Sequence, residues 1–280
     1  MIDAQHPSSI LFITLDSCRY DTFVQTDAPS LKSIGPVHRA YAPAAFTYAS
    51  HCAMFMGFTP GNPYVREPYI NPKFAKIFKM VGPGFTGGGN EFVSLEGRNI
   101  LDGLRRLGYL TLGTGAVDWF DTSTDTGRQL SVDFDRFYRP PLMWDIQKQV
   151  DWTASQLAQA KARNQPVLAF INVGETHSPY YHAGASWSPR PDPCVPFGQD
   201  NNADECRRRQ SACLRFVDAA LKPIIDAFSG STTIACADHG DAWGEDGLWE
   251  HGVFHEKIFE VPLLFRLGRK PQPVTPGPVT

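Results

Sequence analysis

The stretch Ile10-Leu11-Phe12-Ile13-Thr14-Leu15, followed by Asp16, decides the fold of this chain together with a second stretch of the same kind. The second stretch is Thr232-Thr233-Ile234-Ala235-Cys236-Ala237, followed by Asp238-His239-Gly240. Each is a run of about six β-forming residues bounded by polar residues or glycine, which is typical of a buried strand in an α/β sheet. Open α/β sheets place ligands at the carboxyl ends of their strands. We therefore expect two carboxylates and one imidazole at that edge, a combination suited to a metal ion.

The composition is that of an ordinary globular protein. The chain has 280 residues, of which 42% are hydrophobic and 20% are charged, with a formal net charge of −3. This charge gives no basis for a surface that binds polyanions. The densest basic run, Arg207-Arg208-Arg209, is predicted to be the solvated face of a helix. The sequence therefore predicts no nucleic-acid partner.

Apolar runs and cysteines bear on the expected location of the protein. The sequence contains no segment that approaches the roughly 18 to 20 apolar residues needed to span a bilayer, so no membrane partner is expected. The N-terminal residues lack the basic start and the long apolar region of a secretory signal. The six cysteines contain no Cys-x-x-Cys pair. These features favour a reduced, cytoplasmic protein.

Strand and helix patterns alternate along the chain, which predicts the α/β class with a mostly parallel central sheet in a three-layer α/β/α sandwich. We predict one catalytic domain over 1–270 and a Pro-rich tail over 271–280. Pro223 should kink its helix or start a new turn. The predicted helices cover 47–58, 95–107, 142–163 and 204–228, and the further strands cover 109–113, 167–173 and 261–265.

Two segments carry no clear periodic pattern. Residues 59–94 are rich in Gly, Pro and Asn and are predicted to be a connecting loop. Residues 183–203 are rich in Pro, Ser and Asn and are too long for a plain connection, so we interpret them as a candidate substrate lid. Substrate specificity is expected to lie in these two segments.

The chemistry of the two strand ends favours a particular class of cation. Asp16, Asp238 and His239 supply two hard oxygens and one borderline nitrogen, which suits Zn or Mn better than Ca. Such a cation lowers the pKa of a coordinated hydroxyl toward neutrality. A Thr or Ser at a helix start beside the cation would then become a nucleophile, and the helix N-terminus would favour an incoming anionic group. Remaining histidines could bind oxygens or protonate a leaving group.

Four segments, taken in order, resemble the alkaline phosphatase superfamily and most of all its sulfatase-like branch. The resemblance covers residues 9–266 and depends on the order and spacing of the segments, because each motif alone is weak. The segments are Leu15-Asp16, Ala42-Pro43-Ala44-Ala45-Phe46-Thr47-Tyr48-Ala49-Ser50-His51, Gly174-Glu175-Thr176-His177-Ser178-Pro179, and Asp238-His239-Gly240 with Val261-Pro262 downstream.

The resemblance implies a role for each matched position. It implies that Thr47 is a nucleophile that also touches the metal, with Ser50 as the alternative one helical turn away. Glu175 is a weaker candidate for completing a second metal site, and His51 is a weaker candidate for any role. The implied metal ligands are Asp16, Thr47, Asp238 and His239, and the implied catalytic residues are Thr47, His177, His255 and His251.

Departures from the sulfatase pattern narrow the expected reaction. Thr47 stands where true sulfatases carry the Cys or Ser that becomes formylglycine, and Thr cannot be converted in this way. Asp16-Ser17 and Asp238-His239 replace the paired Asp and the Asp-Asn of sulfatases. The resemblance is therefore closer to phosphonate monoester hydrolases and to the soluble part of phosphoethanolamine transferases.

These departures lead to an expected function with several alternatives. We expect a hydrolase of phosphate or phosphonate esters, either monoesters or diesters, that depends on a divalent metal, Zn or Mn, with one site and room for a second. Its partner would be a small-molecule phospho- or sulfo-ester, and a homo-oligomer is left open. Hydrolysis of sulfate esters, transfer of the phospho group to an alcohol, and a non-catalytic metal-binding homologue remain as alternatives.

Overall fold

The computed structural model describes residues 6, 8–57, 78–80, 93–95 and 99–268, with the backbone alone for 78–80 and 93–95. A seven-stranded sheet forms its centre, in the order β2-β11-β8-β1-β7-β5-β6. Its strands are β1 (Ile10–Leu15), β2 (His38–Tyr41), β5 (Leu110–Gly115), β6 (Arg136–Tyr138), β7 (Val167–Val173), β8 (Thr232–Ala237) and β11 (Glu260–Arg266). The five strands from β8 to β6 are parallel, and β11 is antiparallel to both of its neighbours. The mostly parallel sheet is thus confirmed.

Helices and two small strand pairs surround this sheet. The helices are α1 (Tyr20–Gln25), α2 (Pro29–Lys32), α3 (Thr47–Met56), α4 (Ile100–Arg106), α5 (Asp125–Ser131), α6 (Ile146–Ala162), α7 (Ala203–Ala227) and α8 (Glu256–Phe259). The small pairs are β3 (Phe78–Met80) with β4 (Val93–Leu95), and β9 (Ala242–Trp243) with β10 (Trp249–Glu250). Within the part of the chain that the structure describes, every helix is too short or too polar to cross a lipid bilayer.

Alternation along β1 divides the core into two layers, because successive side chains of a strand point to opposite faces of the sheet. Leu11, Ile13 and Leu15 join a buried cluster that contains residues of α1, α2, α6 and α7. Ile10 and Phe12 pack against a second cluster built with residues of α3, α4 and α5. The sheet therefore carries helices on both faces, and the predicted three-layer α/β/α sandwich is confirmed.

The alternative that Pro223 starts a new turn is wrong, because α7 runs without interruption from Ala203 to Ala227, and the kink stays a prediction. A proline inside a helix leaves the carbonyl four residues earlier without its usual N–H donor, and here that carbonyl belongs to Ala219. Both Ala219 and Pro223 lie on the exposed side of the helix. Water can therefore reach the carbonyl of Ala219, and the helix continues.

The prediction that the three arginines of α7 form one solvated face is wrong for Arg209. Arg207 and Arg208 are exposed, but Arg209 is only 7% exposed. Its guanidinium donates to Glu205, 2.6 Å away, and to the carbonyls of Ser188 and Pro191 at 3.3 Å each. Arg209 therefore fastens the predicted lid segment, 183–203, to α7, and that segment contains no helix before Ala203 and no strand.

Other predictions have mixed outcomes. The predicted loop 59–94 contains the described strand β3 and overlaps β4, and the rest of it lies outside the described residues, as does the predicted tail 271–280. The boundary of the predicted domain is therefore untested. The six cysteines are all buried and unpaired, as expected for a reduced protein.

Candidate active site

The register of the sheet brings the predicted strand ends together. Leu15, the last residue of β1, pairs with Val173 of β7 on one side and with Ala237 of β8 on the other. The residues that follow, including Asp16 and Asp238, therefore leave the sheet at the same level. Both carboxylates are fully buried. Parallel pairing of neighbouring strands is thus the physical reason why two acids distant in sequence share one site.

Gly240 allows the loop after β8 to turn close to the backbone of α8. A Cβ atom at this position would lie 2.3 Å from the carbonyl oxygen of Lys257, which is closer than atoms can approach. The N–H of Gly240 also donates to the carbonyl of Ile258 at 2.7 Å. The glycine of the Asp-His-Gly motif therefore lets the chain hold Asp238 and His239 against the sheet edge.

Thr47 opens helix α3 and points its hydroxyl into the same site. Its Oγ1 lies 3.3 and 3.4 Å from the two carboxylate oxygens of Asp16 and 3.2 Å from Nε2 of His239. Nε2 of His239 in turn lies 3.7 Å from Asp16 and 3.6 Å from Asp238. We refer to these four buried residues, Asp16, Thr47, Asp238 and His239, as the four-residue cluster.

The four-residue cluster has an uncompensated acidic atom. Oδ1 of Asp238 accepts from the backbone N–H groups of Ser17 and His239, at 3.2 and 3.0 Å. Oδ2 is buried and, within the described residues, has no hydrogen-bond donor. Burial, together with the charge of Asp16, raises the pKa of Asp238 well above its usual value. A cation would remove both penalties, so these residues fit a metal ion.

His239 is held in the form that a metal ligand needs. Its Nδ1–H donates to the carbonyl of Gly240 at 3.0 Å, which leaves the lone pair of Nε2 directed to the four-residue cluster. A backbone carbonyl behind the ring is the usual support for a metal-binding histidine. Burial, assisted by the charge of His251, lowers the pKa of His239 to about 4, so the ring is neutral at physiological pH.

His251 lies next to the cluster and is oriented by an acid that the sequence analysis did not single out. Its ring centroid is 4.4 Å from that of His239, and its Nδ1–H donates to Oδ1 of Asp241 at 2.8 Å. The other oxygen of Asp241 accepts from the hydroxyl of Tyr180 at 2.6 Å, and that hydroxyl accepts from the indole N–H of Trp243 at 2.8 Å.

This network sets the charge of His251. Burial lowers the pKa of the imidazole, but the hydrogen bond and charge of Asp241 outweigh it and raise the pKa of His251 to about 9. Asp241 is fully buried, and the bond from His251 keeps its pKa below the usual value despite burial. The only sequence signal for Asp241 is an acid two residues after His239.

His177 extends the row of imidazoles. Its ring centroid lies 5.2 Å from that of His251, and its Nδ1–H donates to the carbonyl of Ser178 at 2.6 Å. Nε2 is therefore the nitrogen of His177 that remains for a ligand. The structure thus brings His177 and His251 beside the four-residue cluster, and their catalytic roles stay predictions.

The described contacts of His255 are with residues outside the four-residue cluster. Its Nδ1 accepts from the N–H of Lys257, so His255 is the N-cap of α8, and its Nε2 lies 3.4 Å from the carboxylate of Asp246. These contacts do not join His255 to the four-residue cluster. Its predicted catalytic role stays a prediction that the geometry does not favour over an N-cap.

The weaker candidates of α3 make local bonds. The hydroxyl of Ser50 donates to the carbonyl of Ala44 at 3.1 Å. His51 is fully buried, its Nδ1–H donates to the carbonyl of Thr47 at 2.8 Å, and its Nε2 accepts from the hydroxyl of Thr14 at 2.9 Å. Burial lowers the pKa of His51. Ser50 and His51 therefore both bond to the segment around the start of α3.

Glu175 lies beneath the site. One oxygen accepts from the N–H of Ile146 at 2.7 Å and so caps α6, while the other oxygen is buried without a donor among the described residues. Burial raises the pKa of Glu175 to about 8, so it carries a proton at neutral pH. Its predicted place in a second metal site stays a prediction. The described His-and-acid groups that could hold a cation are Asp16 with Asp238 and His239, and His239 with Asp241 and His251.

A second charged group adjoins the site. Arg19 is 1% exposed, donates to Asp21 at 2.6 Å and to Glu245 at 2.8 Å, and lies 4.3 Å from the ring centre of Trp243. Despite burial, these partners raise the pKa of Arg19 further above its usual value. We refer to Arg19, Asp21 and Glu245 as the arginine cluster. Arg19 and Asp21 thus form an ion pair.

Comparison with known proteins shows which solved structures share the fold of this chain. Neither a family model nor a curated protein matches the chain. Among solved structures, a putative sulfatase from Bacteroides fragilis is 16% identical, with a TM-score of 0.63, and the match covers 95% of this chain and 70% of that one. The C-terminal periplasmic domain of a phosphoethanolamine transferase from Campylobacter jejuni is 14% identical, with a TM-score of 0.60 and coverages of 95% and 83%.

A phosphonate monoester hydrolase of Agrobacterium radiobacter is 14% identical, with a TM-score of 0.57 and coverages of 93% and 68%. The chain spans only 61% of the length of an alkaline phosphatase superfamily protein from Vibrio parahaemolyticus, which is 16% identical with a TM-score of 0.55. The similarity therefore concerns the fold. In agreement with the resemblance of its four sequence segments to the sulfatase-like branch, this chain has the fold of the alkaline phosphatase superfamily.

Proposed function

We propose that this chain is a metal-dependent hydrolase of phosphate or phosphonate esters, monoesters or diesters, with Thr47 as its nucleophile. The observation that carries the proposal is the position of the Thr47 hydroxyl, 3.2 to 3.4 Å from His239 and Asp16 in a fully buried site. Thr47 is the first residue of α3 after the N-cap Phe46, and the described hydrogen bonds of its hydroxyl join it to Asp16 and His239 rather than to the helix backbone. Thr47 thus faces acids and an imidazole at the sheet edge.

Asp16, Thr47, Asp238 and His239 would hold the metal, through oxygen from three residues and nitrogen from one. This donor set suits Zn or Mn. When bound, such a cation would favour ionisation of the Thr47 hydroxyl and offset negative charge at phosphorus. The unpaired Oδ2 of Asp238 and the Nε2 lone pair of His239 support this assignment.

The reaction then has two halves, transfer of the phospho group to Thr47 and its release by water, and residues of the chain act in both. Once the Thr47 hydroxyl has lost its proton to solvent, its Oγ1 forms a bond to phosphorus while the bond from phosphorus to the leaving oxygen breaks, and Oγ1 leaves again as the alkoxide in the second half. His251, cationic at neutral pH, gives the proton on Nε2 to the leaving oxygen, and Asp241 keeps Nδ1 occupied. The neutral His251 next takes a proton from water, whose oxygen displaces Thr47 from phosphorus and releases the product.

His177 has a separate role in this scheme. Its Nδ1–H is bonded to the carbonyl of Ser178, so its Nε2 is available for a non-bridging oxygen of the ester. The ring centroid of His177 lies 5.2 Å from that of His251, which in turn lies 4.4 Å from that of His239. We assign it to binding of the transferred group, while His255 is not needed for either half of the reaction.

Transfer to an alcohol acceptor is a second candidate, favoured by the fold shared with the phosphoethanolamine transferase domain. The phospho-threonine stage is common to both reactions, and they differ only in whether water or an alcohol displaces Thr47. Product analysis with glycerol added as the acceptor separates them. A product ester of glycerol that exceeds the hydrolysis product would favour the transferase.

The proposal is tested by comparing leaving-group release from matched para-nitrophenyl esters. Metal-loaded protein should release para-nitrophenol from a phosphate diester and from a phenylphosphonate ester faster than from para-nitrophenyl sulfate. Acid quenching during turnover should trap phosphate on Thr47, which mass spectrometry would locate. Faster turnover of the sulfate ester would contradict the proposal in favour of sulfatase-like hydrolysis. Metal-loaded protein that hydrolyses none of the esters would favour the non-catalytic alternative.

A further inference from the structure

Three aromatic rings meet beside the proposed nucleophile. Phe46 and Tyr48 are the sequence neighbours of Thr47, and both are half-buried. Although they flank a residue that points into the site, both rings contact Trp119. The centroid of Trp119 lies 5.9 Å from that of Phe46 and 5.7 Å from that of Tyr48. The start of α3 and the loop after β5 thus form one aromatic surface next to Thr47.

Trp119 exposes part of this surface to solvent. Its side chain is 37% exposed, whereas the ring of its neighbour Phe120 is fully buried in the core cluster. Tyr48 stacks on Trp119 with an interplanar angle of 30°. Isolated exposed hydrophobic residues are common on protein surfaces and need no function. Two observations set Trp119 apart: it lies against both neighbours of Thr47, and its position is fixed.

Ion pairs on both sides fix the turn that carries Trp119. Trp119 is the middle residue of the short 3-10 turn Asp118–Phe120. Arg139 pairs with Asp118 before the turn and lies 3.7 Å from Asp121 after it. On the other side of the surface, the hydroxyl of Tyr48 donates to Gln129 at 2.6 Å. The rings are therefore held in place before any ligand arrives, which lowers the entropic cost of binding.

We propose that Phe46, Tyr48 and Trp119 form a substrate subsite that binds a planar aromatic ring on the non-leaving ester group. This inference rests on the proposed function, since the ester is the molecule that brings the ring to Thr47. The carboxylates next to Trp119 are both paired with Arg139, so this surface offers ring faces rather than a free charge. Offset stacking on such a face adds binding free energy beyond the burial of area.

Two diesters with one leaving group test the subsite. Bis(para-nitrophenyl) phosphate carries an aromatic non-leaving group, and methyl para-nitrophenyl phosphate carries a methyl group in its place. The wild type should prefer the first in kcat/KM, and Trp119→Ala should reduce that preference about three- to tenfold, mainly through KM. Trp119→Phe should restore most of it. Phe265→Ala, which removes a ring that is 44% exposed on β11, is the matched control and should leave the preference unchanged.

A binding measurement separates failure of the subsite from failure of the proposed function. Calorimetric titration of the metal-loaded protein with diphenyl phosphate and with dimethyl phosphate needs no turnover. Diphenyl phosphate should bind the wild type more tightly, and Trp119→Ala should lose that advantage. If neither activated diester is hydrolysed but this difference in binding is found, the proposed function fails and the subsite stands. An aryl preference that persists unchanged in Trp119→Ala would overturn the subsite while leaving the hydrolase intact.

Discussion

The four-residue cluster and the arginine cluster begin only three residues apart, at Asp16 and Arg19, yet they balance charge in opposite ways. In the arginine cluster one buried cation meets two carboxylates, Asp21 and Glu245, which are each about one-third exposed. In the four-residue cluster two fully buried carboxylates meet a hydroxyl and an imidazole whose pKa is lowered to about 4.

This difference distinguishes a structural ion pair from a binding site. A buried charge persists when it is paired and hydrogen-bonded, and the arginine cluster meets that condition within the chain itself. The four-residue cluster does not, because Asp238 keeps an oxygen without a donor among the described residues. A bound cation would supply the missing positive charge, and the cluster is therefore where we expect a divalent cation.

The largest expected effect is on catalysis, from removing the hydroxyl of the four-residue cluster. Thr47→Ala should lower hydrolysis of an activated aryl phosphodiester at least about a thousandfold, because the nucleophile is lost. Ser50→Ala is the matched control, since the Ser50 hydroxyl bonds only to the carbonyl of Ala44 and its loss should leave the rate within about threefold. Full activity in Thr47→Ala would remove Thr47 from its role.

The next largest effect is on the stability of the metal-free protein. A substitution in the arginine cluster should lower it, whereas a substitution in the four-residue cluster should leave it unchanged or raise it. Arg19→Met leaves Glu245 without its cation and Asp21 with Lys257 alone, and it should lower the free energy of unfolding by about 3 kcal/mol. Asp238→Asn removes one of two like charges, so without metal it should unfold at the same or a higher temperature than the wild type. Thermal melts of metal-free protein measure both. Equal destabilisation by the two variants would contradict the comparison.

The sequence was sufficient for the part of the site that follows from local patterns. Asp16 and Asp238 follow runs of β-forming residues, and parallel pairing then brings their strand ends together. Thr47 was expected at the start of a helix and does begin α3. These placements depend on hydrophobic periodicity, which can be recognised in a single sequence, and on the general geometry of parallel sheets.

Residues whose role depends on distant partners could not be predicted in this way. Asp241 bonds to Tyr180, 61 residues away, and to His251 in the next turn of the loop, and nothing local marks it as an orienting acid. In sequence, Arg209 cannot be distinguished from Arg207 and Arg208. It is buried because the 183–203 segment packs over it. The new turn considered at Pro223 followed from the intrinsic preference of proline to interrupt helices. The helix continues there because Ala219 and Pro223 lie on its exposed side.

A third buried acid sharpens the comparison, because burial and the nearby charge of Asp145 both oppose ionisation of Glu175. Burial raises its pKa from 4.5 to about 8 in the folded protein. The folded state therefore keeps a proton that the unfolded state loses above about pH 4.5, so stability should fall between about pH 5 and pH 8 and then level off. A difference of this size between the folded and unfolded pKa corresponds to a pH-dependent component of stability of at most about 5 kcal/mol.

Glu175→Gln should abolish that component, because the amide is neutral at every pH and can still accept from the N–H of Ile146. Denaturant unfolding at several pH values from 5 to 8.5 measures this. The free energy of unfolding should depend less on pH in the variant than in the wild type. Asp226→Asn, which removes an exposed carboxylate that pairs with Lys222 on α7, is the control. Identical pH profiles for the wild type and Glu175→Gln would show that Glu175 is ionised when folded.

The smallest expected effect concerns the orientation of His251. Asp241→Asn should lower kcat about tenfold with little change in KM, because the amide no longer fixes which nitrogen of His251 carries its proton. Tyr180→Phe removes only the hydroxyl behind Asp241 and should have a smaller effect in the same direction. Steady-state kinetics with one diester compare them. A larger loss in Tyr180→Phe than in Asp241→Asn would contradict this order of action.

The most direct test of the account is the metal content of purified protein. Elemental analysis after loading with Zn or Mn and removal of excess metal should find about one tightly held cation per chain. That cation should be lost in Asp238→Asn and kept in Asp246→Asn, a control whose carboxylate is 84% exposed. A wild type that binds no cation, or an Asp238→Asn variant that holds as much metal as the wild type, would contradict the central claim.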